Sequence, residues 1–341
     1  MSEPQLPDLN KKPAFPVSAV LGNAFFALAL LLVLCIAFRP EFRNPYVLCM
    51  VARQVTCVGI IALGMTFVIA GGGIDLSVGS LFAFSGVLSV LSLNFLLEHP
   101  NWGPLALLPA GFISTPFGAF LAVTVVSILA GALGGALNGA LVVFGKIPPF
   151  IATLGTLSIF RSLALHFANS GSLPLPVSFG KIADPQIGKY QTASLVFLVL
   201  TAFFAILMKN TAYGRHVCAV GSNERVARFA GIRTGLVRFM TYVLTGICTG
   251  IAMILFLGQL ESVPNDAGNL YELDAIAAVV IGGTPMNGGR ASLWGTLAGA
   301  LILGIIFALL NFAGTASTLK DLVKGAIILI SVFIQRKEKN I

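Results

Sequence analysis

Few side chains within the apolar stretches of this sequence could do chemistry. Asp75, Arg161, Asp274, Arg290, Asp321 and Lys324 fall inside or beside long hydrophobic runs. A charge at the centre of a membrane helix costs roughly 2.5–3.5 kcal/mol on insertion scales, so each must brace the fold, find a partner or face a polar path. Opposite signs fall at matching depths, which predicts two ion pairs, Asp75–Arg290 and Asp274–Lys324. Asp321, one turn from Lys324, is a local alternative partner. Arg161 lies about 20 Å up its helix from Lys146; it either snorkels outward or meets an acid from the other half of the chain.

Enzyme chemistry is not expected. No Ser/His/Asp or two-carboxylate constellation is placed for catalysis. The nearest approach to a phosphate-binding loop, "GALVVFGKI" at 139–147, has the wrong glycine spacing and Ile after its lysine. The five cysteines are scattered without a CxxC pair and the three histidines are separated, so neither a disulfide framework nor a metal site is expected. Any energy must then come from a partner.

Glycines break two of the apolar runs. "VIAGGGIDLSVGSL" at 68–81 loosely echoes "VIGGTPMNGGRASL" at 280–293. Each leads from one apolar helix through glycines into another, the pattern of two structural repeats whose discontinuous helices flank a transport path. Backbone of this kind is tolerated at membrane depth only where protein or a water-filled cavity satisfies it; the alternative is a tight interfacial turn. Gly71, Gly72, Gly73, Asp75 and Ser77 in the first break, with Gly282, Gly283, Asn287 and Arg290 in the second, are the candidate path or gate residues.

The elements that must position these groups follow from composition. Hydrophobic residues make up 57% of the 341, charged residues 10%, and the mean hydropathy is +0.93. A soluble domain needs far more charge, and runs of about 20 apolar residues recur as membrane spans require. The first follows a polar segment, 1–16, and is too long for a secretory leader, so an uncleaved helix is expected. The net charge of +8 is concentrated in residues 209–238 and the C-terminal tail, which the positive-inside rule explains better than nucleic-acid binding. Residues 259–272 carry only acids and read as an outer loop.

Fitting spans to these constraints gives ten crossings, at 17–38, 54–70, 76–97, 118–143, 147–167, 191–208, 239–258, 273–284, 291–312 and 317–335. The whole chain, 1–341, is then one all-α polytopic domain, with tails 1–16 and 336–341 and loop 209–238 on the cytoplasmic side. The interrupted stretch 98–117 and the short eighth span are the least regular parts. Gly131, Gly135 and Gly139 lie on one helical face and admit a close neighbour; Asn138 adds an interhelical hydrogen-bonding group.

Within the basic loop, Asn223 or Ser222 caps a short helix that carries Glu224 in its first turn and ends near Gly231. Such a helix offers a knob that another protein can grip.

Four stretches carry a family resemblance: "GMTFVIAGGGIDLSVGS" (64–80), "IPPFIATLGTLSIFRSLA" (147–164), "AVGSNERVARFAGI" (219–232) and "YELDAIAAVVIGGTPMNGGRASLWGTLAGALILG" (271–304). Together they resemble the permease subunits of bacterial ABC sugar importers, in the ribose/xylose/arabinose/galactoside branch of the binding-protein-dependent permeases. "FRSL" and the Pro285/Asn287 pair depart from the family's usual residues. The resemblance implies about ten helices in two pseudo-symmetric halves, similar to the type II architecture of cobalamin importers. It also implies a second, usually identical permease subunit, a cytoplasmic ABC ATPase that holds ATP and Mg, and a periplasmic sugar-binding protein. This subunit itself would need no cofactor. Residues 221–232 match the family's coupling helix, with Glu224, Ala227 and Gly231 matching its Glu-Ala-Gly pattern. Asn223, Glu224, Val226, Phe229 and Gly231 are then the expected contact or shape residues. Arg39 and Arg43, outside the first span, either dock the binding protein or anchor at the interface. A bacterial inner-membrane location follows, with the second, third and eighth spans nearest the path. Rival readings are an ABC permease for a nucleoside, branched-chain amino acid or furanone-type signal, an ion-driven transporter using Asp75, or a membrane scaffold.

Overall fold

The computed structural model describes residues 24–99, 111–187, 190–315, 319, 322–327 and 329. Both expected tails, Asp321 and most of the tenth expected span lie outside the described residues. Helix starts follow local sequence signals. Asn44 accepts the Tyr46 amide at 3.0 Å, with Pro45 at the first helical position, so α2 (Pro45–Ala70) begins nine residues before its expected limit. Thr115 and Pro116 open α4 (Pro116–Val143) in the same way. The remaining long helices are α3 (Val78–Glu98), α5 (Pro149–Phe167), α6 (Ala193–Asn210), α9 (Thr234–Leu260) and α11 (Leu293–Phe312). All seven are long and apolar enough to cross a membrane. Helix α1 (Ala24–Phe38) is shorter within the described residues.

The expected short helix of the basic loop is α8 (Glu224–Phe229), and a further helix, α7 (Ala212–Ser222), precedes it. Helix α10 (Tyr271–Ile281) has 11 residues, about 16 Å, or half the hydrocarbon thickness. The expected eighth span is therefore a half-helix. The segment before it folds inward: Gly268 meets Gly79, and the Ala267 carbonyl accepts from Arg161 at 2.8 Å. Apart from helices, the described chain has two short antiparallel pairs, Leu173–Pro174 with Ser262–Val263 and Gln186–Ile187 with Tyr190–Gln191.

The core centres on α2, α4 and α9. Residues Ile60 to Ala70 of α2 are buried without a gap. The glycine face of α4 does what its spacing predicts: Gly131 packs on the Gly246 backbone and Gly135 on that of Tyr242, bringing α4 and α9 into backbone contact. The opposite face of α4 exposes Leu121, Val125, Leu129, Leu133 and Leu137, one every fourth residue, as a lipid-facing stripe would.

Candidate coupling and gating site

Helix α8 is built by its caps. Asn223 Oδ1 accepts the Val226 amide at 3.1 Å, and Gly231 closes the helix with φ +82°, a conformation an L side chain resists. The caps leave Val226 62% and Phe229 92% exposed, while Ala227 is buried beneath them. The apolar tip thus points away from the rest of the chain. Glu224 points inward instead. Its carboxylate accepts from Arg228 Nη2 at 2.9 Å and from Arg238 Nη1 at 2.8 Å, and from the Thr234 hydroxyl at 3.4 Å. It is a shape residue that ties α8 to the foot of α9.

Helix α7 carries this unit into the membrane domain. Val217 and Val220 are buried, and Tyr213 stacks on Phe67 of α2 with ring centroids 6.2 Å apart. Burial pushes the Tyr213 phenol and the Cys218 thiol above their ordinary pKa values, so both stay neutral. Gly221, near the end of α7, lies where a Cβ would fall on the Ala70 carbonyl oxygen and crowd the Gly289 amide. That amide itself donates to Ala70 O at 2.9 Å. The two glycine breaks therefore meet at the end of α2, with Gly221 wedged against both.

The first break is closed by its own backbone. Gly72 N donates to Ile69 O and Gly73 N to Val68 O, each at 2.9 Å, ending α2. Asp75 then forms a turn, accepting from Ser77 N at 2.9 Å and Ser77 Oγ at 2.8 Å. Asn138 Nδ2 reaches both Asp75 oxygens at 3.3 Å and Ser77 Oγ at 2.7 Å. In turn, Asn138 Oδ1 accepts from Thr156 Oγ1 of α5 at 2.6 Å. Asp75, Ser77, Asn138 and Thr156 are all buried. A cavity of about 460 Å³ lies between Gly71–Gly73, the α4–α5 turn at Lys146, and the Glu224/Arg238 pair.

The second break is more open. Gly282 and Gly283 end α10 through bonds to Ala278 and Val280 carbonyls, and Thr284 Oγ1 accepts the Ser292 amide at 3.1 Å. Asn287 and Arg290 are exposed. Arg290 lines a wide recess of about 770 Å³ beside Lys209 and Trp294.

These positions correct one predicted pair and bear out the other. Lys324 Nζ lies 2.9 Å from Asp274 Oδ2, with both side chains mostly buried. Asp75 and Arg290 do not pair. The turn at Ser77 aims the carboxylate inward at α4, while Gly288 and Gly289, both at positive φ, carry the chain outward to Arg290. Arg161 turns to the other half of the chain, where it donates to the Ala267 carbonyl with the acids Glu272 and Asp266 nearby. Arg43 spends its guanidinium on the Ile36 and Ala37 carbonyls at the end of α1, at 3.1 and 3.3 Å. Arg39 is half-buried in the turn that follows α1.

Sequence reasoning missed the Arg53–Asp184 pair, 2.7 Å apart with Asp184 almost wholly buried. The Asn44-Pro45 start signal would have placed Arg53 inside α2. Asn138 was missed as the partner of Asp75, and Thr156 as the partner of Asn138, because hydroxyl and amide groups in apolar helices give no charge signal.

An apolar bundle with seven helices of membrane-spanning length among the described residues defines a polytopic membrane protein. The family of branched-chain amino acid transport system permease components matches residues 47–332, and the chain belongs to it. It is an ABC importer permease, a transport subunit without catalytic function of its own. Among its relatives, the ribose import permease RbsC of Bacillus subtilis is 37% identical over 325 residues, covering 92% of each chain. RbsC of Escherichia coli K12 is 32% identical over 324 residues, 93% of this chain and 94% of the relative. The autoinducer 2 import permease LsrD of Salmonella paratyphi B is 30% identical over 314 residues, 89% and 88% of the two chains. No solved structure matches the chain.

Proposed function

We propose that two copies of this chain form the inner-membrane path for a monosaccharide, delivered by a periplasmic binding protein and driven by a separate ABC ATPase. The observation that carries the coupling is the capped α8 knob, with Val226 and Phe229 exposed and Glu224 braced behind them. An apolar tip on a short rigid helix suits insertion into a cleft on the ATPase, which would hold the ATP and Mg. Both termini would then be cytoplasmic, and the chain would complete ten helices in two pseudo-symmetric halves of type II form.

Helix α5 supports the second copy. Its face away from α3 and α4 exposes Gly155, Ser158 and Ser162 at i, i+3 and i+7, among apolar neighbours. Hydroxyls on such a face suit a shared, water-filled path between two subunits better than lipid. A wide hydroxyl-lined path suits a sugar, as does the ribose import named for several relatives. Arg39, in the turn after α1, remains available to dock the binding protein.

The test is uptake of radiolabelled ribose by proteoliposomes holding the permease, its ATPase and its binding protein. Uptake that requires all three and ATP is expected. Uptake driven by an ion gradient without the ATPase would overturn the reading. Preferential uptake of autoinducer 2 would favour the alternative that LsrD suggests.

A further inference from the structure

The hydrogen bonds around Asp75 leave a role that neither ion pairing nor solute binding accounts for. We infer that the first glycine break, residues 71–77, is the joint that carries motion from α7 and α8 to α5, with Asp75, Asn138 and Thr156 as positioning residues. This rests on the reading of α8 as the ATPase contact and of α5 as a wall of the path.

One backbone contact and one side-chain contact enter the joint from the α7–α8 side. Gly221 abuts the Ala70 carbonyl, backbone against backbone, with no side chain to yield between them. Glu224 holds Arg238 at 2.8 Å, and a Cβ on Gly72 would lie 3.8 Å from Arg238 Nη2. Displacement of α8 therefore presses on the end of α2 and on the break at the same time.

Within the membrane domain the joint touches α9, where Tyr242 donates to the Ile74 carbonyl at 3.4 Å, and it reaches α5 through a chain of polar side chains. Its hydrogen bonds run in a single direction. The Thr156 hydroxyl donates to Asn138 Oδ1, Asn138 Nδ2 donates to Ser77 Oγ, and Ser77 Oγ donates to Asp75 Oδ1. Asp75 is only an acceptor in this chain, receiving from Ser77 N as well. No group in it can turn away without leaving a buried donor or acceptor unpaired, so the elements move together or not at all. Thr156 sits on the buried side of α5, and Ser158 and Ser162 lie on the exposed side of the same helix. A shift or tilt of the break at Asp75 is thus delivered to the face that lines the proposed path. Because the break has non-helical backbone, it can rotate without unwinding either α2 or α3.

The test uses the reconstituted transporter and two variants at opposite ends of the chain, Thr156→Val and Asp75→Asn, with Thr156→Ser as the conservative control. The first readout is ATP hydrolysed per ribose imported. A loss of folded protein lowers both rates together and leaves this ratio unchanged. Loss of the joint raises it, by about tenfold for the missing hydrogen bond in Thr156→Val, while Thr156→Ser stays near wild type. The second readout needs no sugar. Spin labels at positions 225 and 158, in a background without native cysteines, report α8 and α5 when a non-hydrolysable ATP analogue is added. In the otherwise wild-type protein both labels should move; in Thr156→Val and in Asp75→Asn only the label at 225 should. An unchanged ATP-to-ribose ratio, or a full response at 158 in Thr156→Val, would overturn the joint. If the labels respond as expected but no ribose enters, the ribose reading falls and the joint stands.

Discussion

The two glycine breaks look alike in sequence and differ in how they are held. At 71–77 the lone carboxylate turns inward, and Ser77 and Asn138 donate to it. At 282–290 the lone cation turns outward into an open recess, and the break is pinned by backbone, through Gly289 N to Ala70 O at 2.9 Å. Similar glycine spacing thus makes a polar joint in one half and a backbone hinge in the other. The difference lies in the neighbours. Helix α4 presents Asn138 to the first break, while the second faces Gly221 and the end of α2.

Substitutions sharpen this contrast on a scale set by a true ion pair. Asp274 lies on α10, which leads into the second break, and its bond to Lys324 is largely buried. Asp274→Ala should cost about 3–5 kcal/mol, because it removes the carboxylate half of a largely buried ion pair, and a thermal melt in detergent will read it. Asp75→Ala comes next. Each buried donor it strands costs about 1–3 kcal/mol, so the melting temperature should fall by several degrees and transport should drop further. Gly221→Ala places a methyl against the Ala70 carbonyl, at about 1–3 kcal/mol, with uptake lost more than stability. Arg290→Ala should change stability by under about 0.5 kcal/mol. A double-mutant cycle between Asp75 and Arg290 should therefore give no interaction energy, and a charge swap should rescue nothing. Equal losses from Asp75→Ala and Arg290→Ala would erase the contrast between the breaks.

Glu224→Lys stands apart from this series, with a modest effect on stability. Its pairs are a third or more exposed, so they contribute at most about 1 kcal/mol each. The functional effect should run the other way. With α8 detached from Arg238, ATP hydrolysis continues while uptake fails, and parallel assays of the two in proteoliposomes check it.

Much of the scaffold was legible because membrane insertion writes it as one-dimensional hydropathy. The expected limits 118–143 and 147–167 fall within two residues of α4 and α5. The knob was legible too, since caps are local: Asn223, Glu224 and Gly231 act within one turn of where they stand. Misses came where a partner lies far along the chain. Asn138 is 63 residues from Asp75, and Arg53 is 131 from Asp184. The Asp274–Lys324 pair was found across 50 residues only because both charges are conspicuous in apolar surroundings.

The membrane class, the limits of α4 and α5 and the capped helix α8 were determined by the sequence alone, since the cost of exposing polar groups to lipid and the chemistry of caps act locally. Which acid braces which helix was decided only by the tertiary structure. A carboxylate's partner depends on the direction its turn gives it, and Ser77 aims Asp75 toward Asn138 while two left-handed glycines take Arg290 elsewhere.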